Sequence, residues 1–241
     1  MKRTLVLVYG VAAYLVFFGT FLYAIWFVYK MDDLNAGASA SRFERLAIDA
    51  LLLSVFALQH SIMARQWFKR AWTKVVPKEA ERSTYVLFAS LALLLLITFW
   101  RPLLTTIWRV ENPAGVAVLR GMFALGWLLV LTSTFLIDHF DLFGLKQVWT
   151  FFNGGKYQPP QFRTPGPYRL VRHPIYLGFI LAFWGAPHMT AGHLFFAVMT
   201  TAYILIAIQF EEHDMISFHG DQYRRYKQAV SMLLPFRRKS A

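Results

Sequence analysis

Six long apolar runs divide the chain, and short polar segments separate them. A helix needs about 20 mostly apolar residues to cross a bilayer. The first and fourth runs reach this length, the third and fifth are short, and only three residues separate the last two. The pattern predicts an all-α, polytopic bundle of five to six transmembrane helices, the last two forming a tight hairpin. The runs are Thr4–Tyr29, Leu46–Phe68, Tyr85–Trp100, Val116–Ile137, Pro174–Met189 and His193–Phe210.

The composition supports a membrane protein. Apolar residues make up 57% of the 241 positions, above the roughly 45–50% of soluble domains. This length accommodates one integral membrane domain, residues 1–241, and leaves no room for a separate soluble domain. The first run is about twice as long as the apolar core of a secretory signal peptide, so we expect it to be a retained first span. The lack of Cys excludes disulfides, zinc ribbons, cysteine nucleophiles and iron–sulfur clusters.

The basic residues indicate a topology. A net charge of +12 would suggest a nucleic-acid partner in a soluble protein. Here most basic residues lie between apolar runs, so the lipid bilayer explains them better and we expect no nucleic-acid partner. With the N-terminus inside, 19 of the 25 Lys and Arg residues lie on the cytoplasmic side. Both termini are therefore predicted to be cytoplasmic. The six basic residues outside are Lys30, Arg42, Arg45, Arg101, Arg109 and Arg120.

The second run contains polar residues that are costly inside a membrane. Asp49 and His60 are separated by 11 positions, which places them on nearly the same helix face, about 16 Å apart along the axis. Ionisable residues within spans usually face the protein interior or water. The pair can therefore line one cavity. The alternative is that Asp49 lies at the interface and that His60 bonds to a neighbouring helix.

A second polar group opens the fifth run, where Arg172, His173, Pro174 and Tyr176 occur together. Proline is suited to the first position of a helix, because a backbone N–H at that position would have no partner within the helix. A helix N-terminus attracts anions, and Arg172 would strengthen that attraction. The segment thus predicts either an anion-binding helix start or a Pro-capped helix with an Arg and a Tyr at the interface.

Two adjacent carboxylates, Glu211 and Glu212, end the sixth run on the predicted cytoplasmic side. Lys or Arg is the ordinary flank there, and the negative end of a helix dipole also disfavours acidic residues. Such conflicts between local rules tend to mark functional sites. The pair indicates either a site for a cationic ligand or a solvated acidic pair matched to Arg224 or Arg225.

A third polar cluster, Asp138, His139 and Asp141, follows the fourth run. It could bind a metal or act in acid–base chemistry. A metal site built from His and carboxylates usually needs three or four ligands. The sequence does not indicate which distant residues would complete one, so we predict no metal. The two longest polar segments, Asp138–Arg172 and Glu211–Ala241, both lie inside on this topology, and chemistry on a soluble cofactor is expected there.

Three ordered motifs make the chain recognisable. They resemble the C-terminal half of the isoprenylcysteine carboxyl methyltransferase-like superfamily, which includes phospholipid methyltransferases and NnrU-like proteins. The resemblance covers residues 163–235. Two shorter motifs, Gln59–Ser61 and Asp141–Leu145, are similar to the methanethiol S-methyltransferase branch. The three ordered motifs are Gly166-Pro167-Tyr168-Arg169-Leu170-Val171-Arg172-His173-Pro174-Ile175-Tyr176-Leu177-Gly178, then Glu211-Glu212, then Phe218-His219-Gly220-Asp221-Gln222-Tyr223-Arg224-Arg225-Tyr226.

The resemblance implies that the methyl donor is S-adenosylmethionine, bound at the cytoplasmic face of a bacterial inner membrane. Arg172 and the helix start would suit its carboxylate, the Glu pair its ammonium group or ribose hydroxyls, and the Tyr rings its adenine or sulfonium. A short amphipathic helix is expected near the C-terminus. The implied cofactor-binding residues are Gly166, Tyr168, Leu170, Arg172, His173, Tyr176, Leu177, Glu211 and Glu212.

The resemblance further implies methyl transfer to a small thiol, best matched by methanethiol, giving dimethyl sulfide. The thiolate is the nucleophile, so the reaction benefits from a base. His60 is the first candidate for that base, and His139 with Asp141 is the second. The alternatives are methylation of an isoprenylcysteine or phospholipid substrate, and a non-enzymatic membrane accessory protein. No sequence feature indicates an oligomeric state.

Overall fold

The computed structural model describes residues 1–34 and 40–235. Their contacts group into two compact units. The first comprises Met1–Leu104 and Asp138–Pro160, and the second comprises Thr105–Ile137 and the described part of Gln161–Ala241. The predicted cytoplasmic residues Arg237, Arg238 and Lys239 lie outside the described part of the chain. Whether the chain acts as one domain, as the sequence predicts, stays a prediction.

The first unit is built from long apolar helices and short connecting ones. The helices are α1 Lys2–Tyr29, α2 Arg42–Ala64, α3 Gln66–Trp72, α4 Glu81–Phe99, α6 His139–Leu142 and α7 Leu145–Phe152. Ser41 is the N-cap of α2, and its Oγ accepts a hydrogen bond from the backbone N–H of Glu44, the first half of a capping box. Helix α4 packs against both α1 and α2, and α1 also packs against α7.

Gly144 explains one of the short motifs in this unit. Its φ of +88° lies in the left-handed region, and an added Cβ would lie 2.7 Å from the backbone N of Ser83 on α4. Only Gly adopts this conformation freely and also permits so close an approach. The glycine at the end of the Asp141–Gly144 segment therefore fixes the start of α7 against α4.

The second unit contains four helices, a 3₁₀ turn and a two-stranded antiparallel sheet. The elements are β1 Thr106–Arg109, α5 Pro113–Ile137, the 3₁₀ turn Gly166–Arg169, α8 Pro174–Trp184, β2 His188–Thr190, α9 Ala191–His219 and α10 Asp221–Ala229. Helices α5 and α8 make the most extensive contact of this unit, and α9 contacts both α8 and α10. Strands β1 and β2 pair with Trp108 opposite Met189.

Five helices of the described chain, α1, α2, α4, α5 and α9, are long and apolar enough to cross a membrane. This confirms the predicted all-α, polytopic membrane class. The prediction that the fifth run is helical to Met189 was wrong. Helix α8 ends at Trp184, because Gly185 and Pro187 follow and residues 188–190 pair with β1 instead. With 11 residues, α8 is about 16 Å long, roughly half the apolar thickness of a bilayer.

The sixth run is longer than predicted. Helix α9 does not end at the Glu pair but continues for about two turns, to His219, where Gly220 with φ +54° terminates it. Glu211 and Glu212 therefore lie within the helix, about two turns before its end, where the helix dipole does not disfavour their negative charges as it would at the end. The short C-terminal helix predicted from the sequence is α10.

Candidate active site

In the second unit, the residues around Arg172 and His173 are held by the segment that follows α10. Val171 forms a parallel bridge with Ser231. The N–H of Arg172 donates to the carbonyl of Ser231 at 2.8 Å, and the N–H of His173 donates to that of Met232 at 3.2 Å. His173 is the N-cap of α8 and Pro174 its first residue, as the sequence predicts. The segment after α10 thus fixes the backbone at the start of α8.

A charge cluster surrounds the carboxylate of Glu212. Its Oε1 accepts hydrogen bonds from Nε of Arg172 at 2.7 Å and lies 3.1 Å from Nε2 of His173. Its Oε2 lies 2.7 Å from Nζ of Lys227. The side chains of Arg172, His173 and Glu212 are almost fully buried, whereas that of Lys227 is 38% exposed. A buried carboxylate needs such partners, because desolvation of an unpaired charge is costly.

Arg172 also fixes α10. Its Nη1 donates to the backbone carbonyls of Lys227 and Val230 at the C-terminal end of that helix. Terminal carbonyls have no partner within the helix, and a cationic side chain is a favourable one. Arg172 therefore joins the start of α8, the C-terminal part of α9 and the end of α10.

Glu211 differs from Glu212 in its surroundings. Its side chain is 45% exposed, and its Oε2 lies 3.9 Å from Nδ1 of His173. The ring of Tyr176 lies 5.7 Å from the ring of His173, one turn into α8. The packing of α9 on α8 therefore brings two carboxylates to an imidazole and an aromatic ring at the start of α8, and only one of the carboxylates is open to solvent.

Tyrosines of the terminal motif form an aromatic cluster. The ring of Phe162 contacts the rings of Tyr223 and Tyr226 at 5.8 and 5.5 Å. The hydroxyl of Tyr226 donates to the carbonyl of Tyr168, and burial raises the pKa of Tyr226 to about 12. Burial likewise raises the pKa values of Tyr168 and Tyr223. These phenols remain protonated at neutral pH, and that of Tyr226 serves as a hydrogen-bond donor.

The remaining predicted cofactor contacts of this unit are more exposed. Leu170 is exposed, Tyr168 and Leu177 are half-buried, and Gly166 adopts a left-handed φ of +52° at the start of the 3₁₀ turn. Gly166, Tyr168 and Leu170 thus lie on or directly after the turn that precedes α8, and Leu177 lies within its first turn.

The first candidate base, His60, lies in the first unit. The hydroxyl of Tyr85 on α4 lies 2.9 Å from Nε2 of His60, and the ring of Phe56 stacks on it at 5.4 Å. The guanidinium of Arg82 lies 5.1 Å above the Tyr85 ring. The imidazole is therefore held between a hydroxyl group on the neighbouring helix α4 and an aromatic ring on α2 itself.

Asp49, the other ionisable residue of α2, is fully buried. Its Oδ1 accepts a hydrogen bond from the backbone N–H of Arg101, just after α4. Asp49 and His60 thus share a face, as predicted, but this face packs against the two ends of α4. The structure supports the alternative for His60, which bonds to a neighbouring helix, whereas Asp49 is buried and does not lie at the interface.

The second candidate base is also in the first unit. His139 is buried, its Nε2 lies 2.9 Å from the hydroxyl of Tyr14, and burial lowers its pKa. The carboxylate of Asp141 accepts instead from Tyr157 at 2.7 Å and from Gln147 at 3.4 Å. The predicted His139–Asp141 pair therefore has separate hydrogen-bond partners, and a neutral His139 is the group able to accept a proton.

Two residues of these clusters were missed by sequence reasoning. Lys227 was counted only as a cytoplasmic charge, and Tyr85 only as part of an apolar run. No local signal marks either one, because each meets its partner through helix packing across many positions. Within the described ranges, no group of three or more His, Cys, Asp or Glu side chains could hold a metal ion.

Comparison with known proteins gives consistent matches. A family model described as phospholipid methyltransferase matches residues 116–222. The chain is 57% identical to methanethiol S-methyltransferase 1 of Bradyrhizobium diazoefficiens over 95% of this chain and 82% of that protein. It is 50% identical to a methanethiol S-methyltransferase of Crocosphaera subtropica, over 98% and 94% of the two chains. It is 53% identical to one of Mycobacterium tuberculosis, over 98% of both. No solved structure matches the chain.

Proposed function

The chain belongs to the family of bacterial methanethiol S-methyltransferases, and from this premise we propose that it methylates methanethiol to dimethyl sulfide. The observation that carries the proposal is the 57% identity to a protein of that name over 95% of the chain. We further propose that the methyl donor is S-adenosylmethionine, which supplies an electrophilic methyl group on a sulfonium when bound. We also propose that the chain lies in the inner membrane with both termini and the donor site on the cytoplasmic side. Although α8 is too short to span, β1 and β2 pair directly before α5 and α9, so these two helices start on one side and both run towards the other.

The residues at the start of α8 have the chemistry that this donor requires. Its amino-acid end is a zwitterion and its sulfonium is a cation. Glu212 and the exposed Glu211 suit ammonium and hydroxyl groups, and the ring of Tyr176 suits a cation. Arg172 acts here by holding Glu212 in place. Its Nε donates to that carboxylate, while its Nη1 donates to two backbone carbonyls. His173 has the same role through its Nε2.

The other proposed contacts form the approach to this cluster. Gly166, Tyr168 and Leu170 border the donor from the 3₁₀ turn, and Leu177 does so from the first turn of α8. The phenol of Tyr168 stays protonated because burial raises its pKa. These residues exclude water and orient the donor, and orientation contributes much of the rate in a displacement reaction.

The thiol needs to lose a proton before it attacks, because the thiolate is the nucleophile. We propose His60 as the base, since the hydroxyl of Tyr85 orients its ring. His139 is the alternative. Its lowered pKa keeps the imidazole neutral at neutral pH, which leaves it able to accept a proton.

The test of this function uses membranes that contain the full chain. Membranes given methanethiol and S-adenosylmethionine should release dimethyl sulfide into the headspace, measured by gas chromatography. Labelled S-adenosylmethionine with phospholipid or an isoprenylcysteine substrate, in parallel, tests the two alternative acceptors. Label in lipid without dimethyl sulfide would refute the thiol substrate, and no transfer to any acceptor would favour an accessory protein.

Two substitutions connect this activity to the cluster. Glu212→Gln should abolish donor binding, because it removes the charge on which Arg172 and Lys227 converge. Asp221→Asn, which removes an exposed carboxylate on α10, is the matched control and should bind normally. Calorimetry with S-adenosylhomocysteine measures both, and equal affinities in the two variants would remove Glu212 from the donor site.

A further inference from the structure

The three partners of Glu212 are not equivalent. Arg172 and His173 are buried with the carboxylate, and both approach Oε1. Lys227 approaches Oε2 and is 38% exposed. The ammonium group of Lys227 is partly solvated, so moving it away from Glu212 costs less than separating the fully buried Arg172–Glu212 pair. The Lys227–Glu212 contact is therefore the part of the cluster that a ligand can open.

The backbone of Lys227 stays fixed while its side chain moves. Its carbonyl accepts from Nη1 of Arg172, so the end of α10 is held independently of the ammonium group. A lysine side chain has a flexible four-carbon stem and carries its charge as a compact point. The Nζ atom can thus move away from Oε2 of Glu212 without displacing α10.

The charges in this region also balance. Arg172 and Lys227 supply two positive charges, and Glu211 and Glu212 supply two negative ones. The guanidinium of Arg172 is already engaged with Glu212 and with two carbonyls. Lys227 is therefore the more accessible of the two cations for a carboxylate ligand. A zwitterionic group adds no net charge, so it can enter without leaving a charge unpaired.

We propose that the Lys227–Glu212 ion pair is the receptor for the α-amino-acid end of the methyl donor. The ligand's ammonium group binds Glu212, and its carboxylate binds the ammonium group of Lys227. This inference rests on the proposed function and specifies how its donor is oriented. The sequence assigned the donor's carboxylate to Arg172 and the helix start. The structure favours Lys227 as the partner of that carboxylate instead.

The test removes one partner from the protein and the matching group from the ligand. Lys227→Met should weaken binding of S-adenosylmethionine and S-adenosylhomocysteine by roughly 10- to 100-fold, as for loss of a hydrogen bond to a charged group. Decarboxylated S-adenosylmethionine keeps the ammonium group but lacks the carboxylate. Its affinity should therefore change less than about threefold between the wild-type protein and Lys227→Met.

Two control variants accompany this cycle. Arg224→Met removes another positive charge from α10 and should leave all three affinities unchanged. Lys227→Arg keeps the charge and should retain most of the affinity, which also covers the case that Lys227→Met fails to fold. Thermal melting of each detergent-solubilised variant reports folding.

The outcomes separate the inference from the function. Unchanged or tighter binding of S-adenosylmethionine by Lys227→Met would overturn the inference, as would equal losses for the ligands with and without the carboxylate. Dimethyl sulfide production by the wild-type protein would still stand in either case. Failure of the wild-type protein to bind any of these ligands would instead refute the proposed donor.

Discussion

The backbones of α5 and α8 approach each other closely at Gly126. A Cβ added at Gly126 would lie 2.5 Å from the backbone N of Ala182 and 2.5 Å from the carbonyl O of Gly178. Both neighbours are backbone atoms, so no rotamer change relieves the overlap. Overpacking of this kind costs about 1–3 kcal/mol. The higher helix propensity of alanine relative to glycine offsets about 1 kcal/mol of this cost. We expect Gly126→Ala to destabilise the fold by up to about 2 kcal/mol.

Gly121 provides the matched control on the same helix. A Cβ added there meets no atom within 4 Å. Gly121→Ala should therefore raise the helix propensity without any overlap of atoms, and it should stabilise the protein by up to about 1 kcal/mol. Thermal melting of the two detergent-solubilised variants measures the difference. If Gly126→Ala melts at or above the temperature of Gly121→Ala, the close-packing argument is wrong.

The same substitution should affect the proposed donor site. Helix α8 is too short to span the bilayer alone, so its position depends on packing against α5. His173 precedes α8 directly and bonds to Glu212. Gly126→Ala should therefore weaken S-adenosylhomocysteine binding in calorimetry, while Gly121→Ala should not. Normal binding by a destabilised Gly126→Ala protein would show that the site does not depend on this contact.

Two further predictions concern the base and the topology. His60→Ala should lower turnover by about 10²- to 10⁴-fold at neutral pH with little change in donor affinity, and the loss should shrink at high pH, where the thiolate forms without help. A variant that melts like the wild-type protein and keeps near-normal turnover would transfer the role to His139. Reporters fused after Ala241 and inserted at Glu111 should be found on the cytoplasmic and outer sides respectively. A common side for both would contradict the predicted orientation.

The sequence alone determined the features that depend on neighbours along the chain. Long apolar runs specify spans because the backbone groups of a helix, apart from those of its ends, are satisfied within the helix, whatever surrounds it. Pro174 after His173 defined the start of α8 for a similarly local reason. The recognisable order of the motifs also indicated the family before any packing was known.

Only the tertiary structure decided which charges meet. Arg172 and Glu212 are 40 positions apart, yet they share a hydrogen bond because α8 and α9 pack together. Lys227 joins them only because α10 turns back at Gly220. Tyr85 reaches His60 through the packing of α4 on α2. Hydrophobic periodicity indicates which residues are apolar, but the pairing of buried polar groups depends on helix rotation and depth, which packing between helices sets.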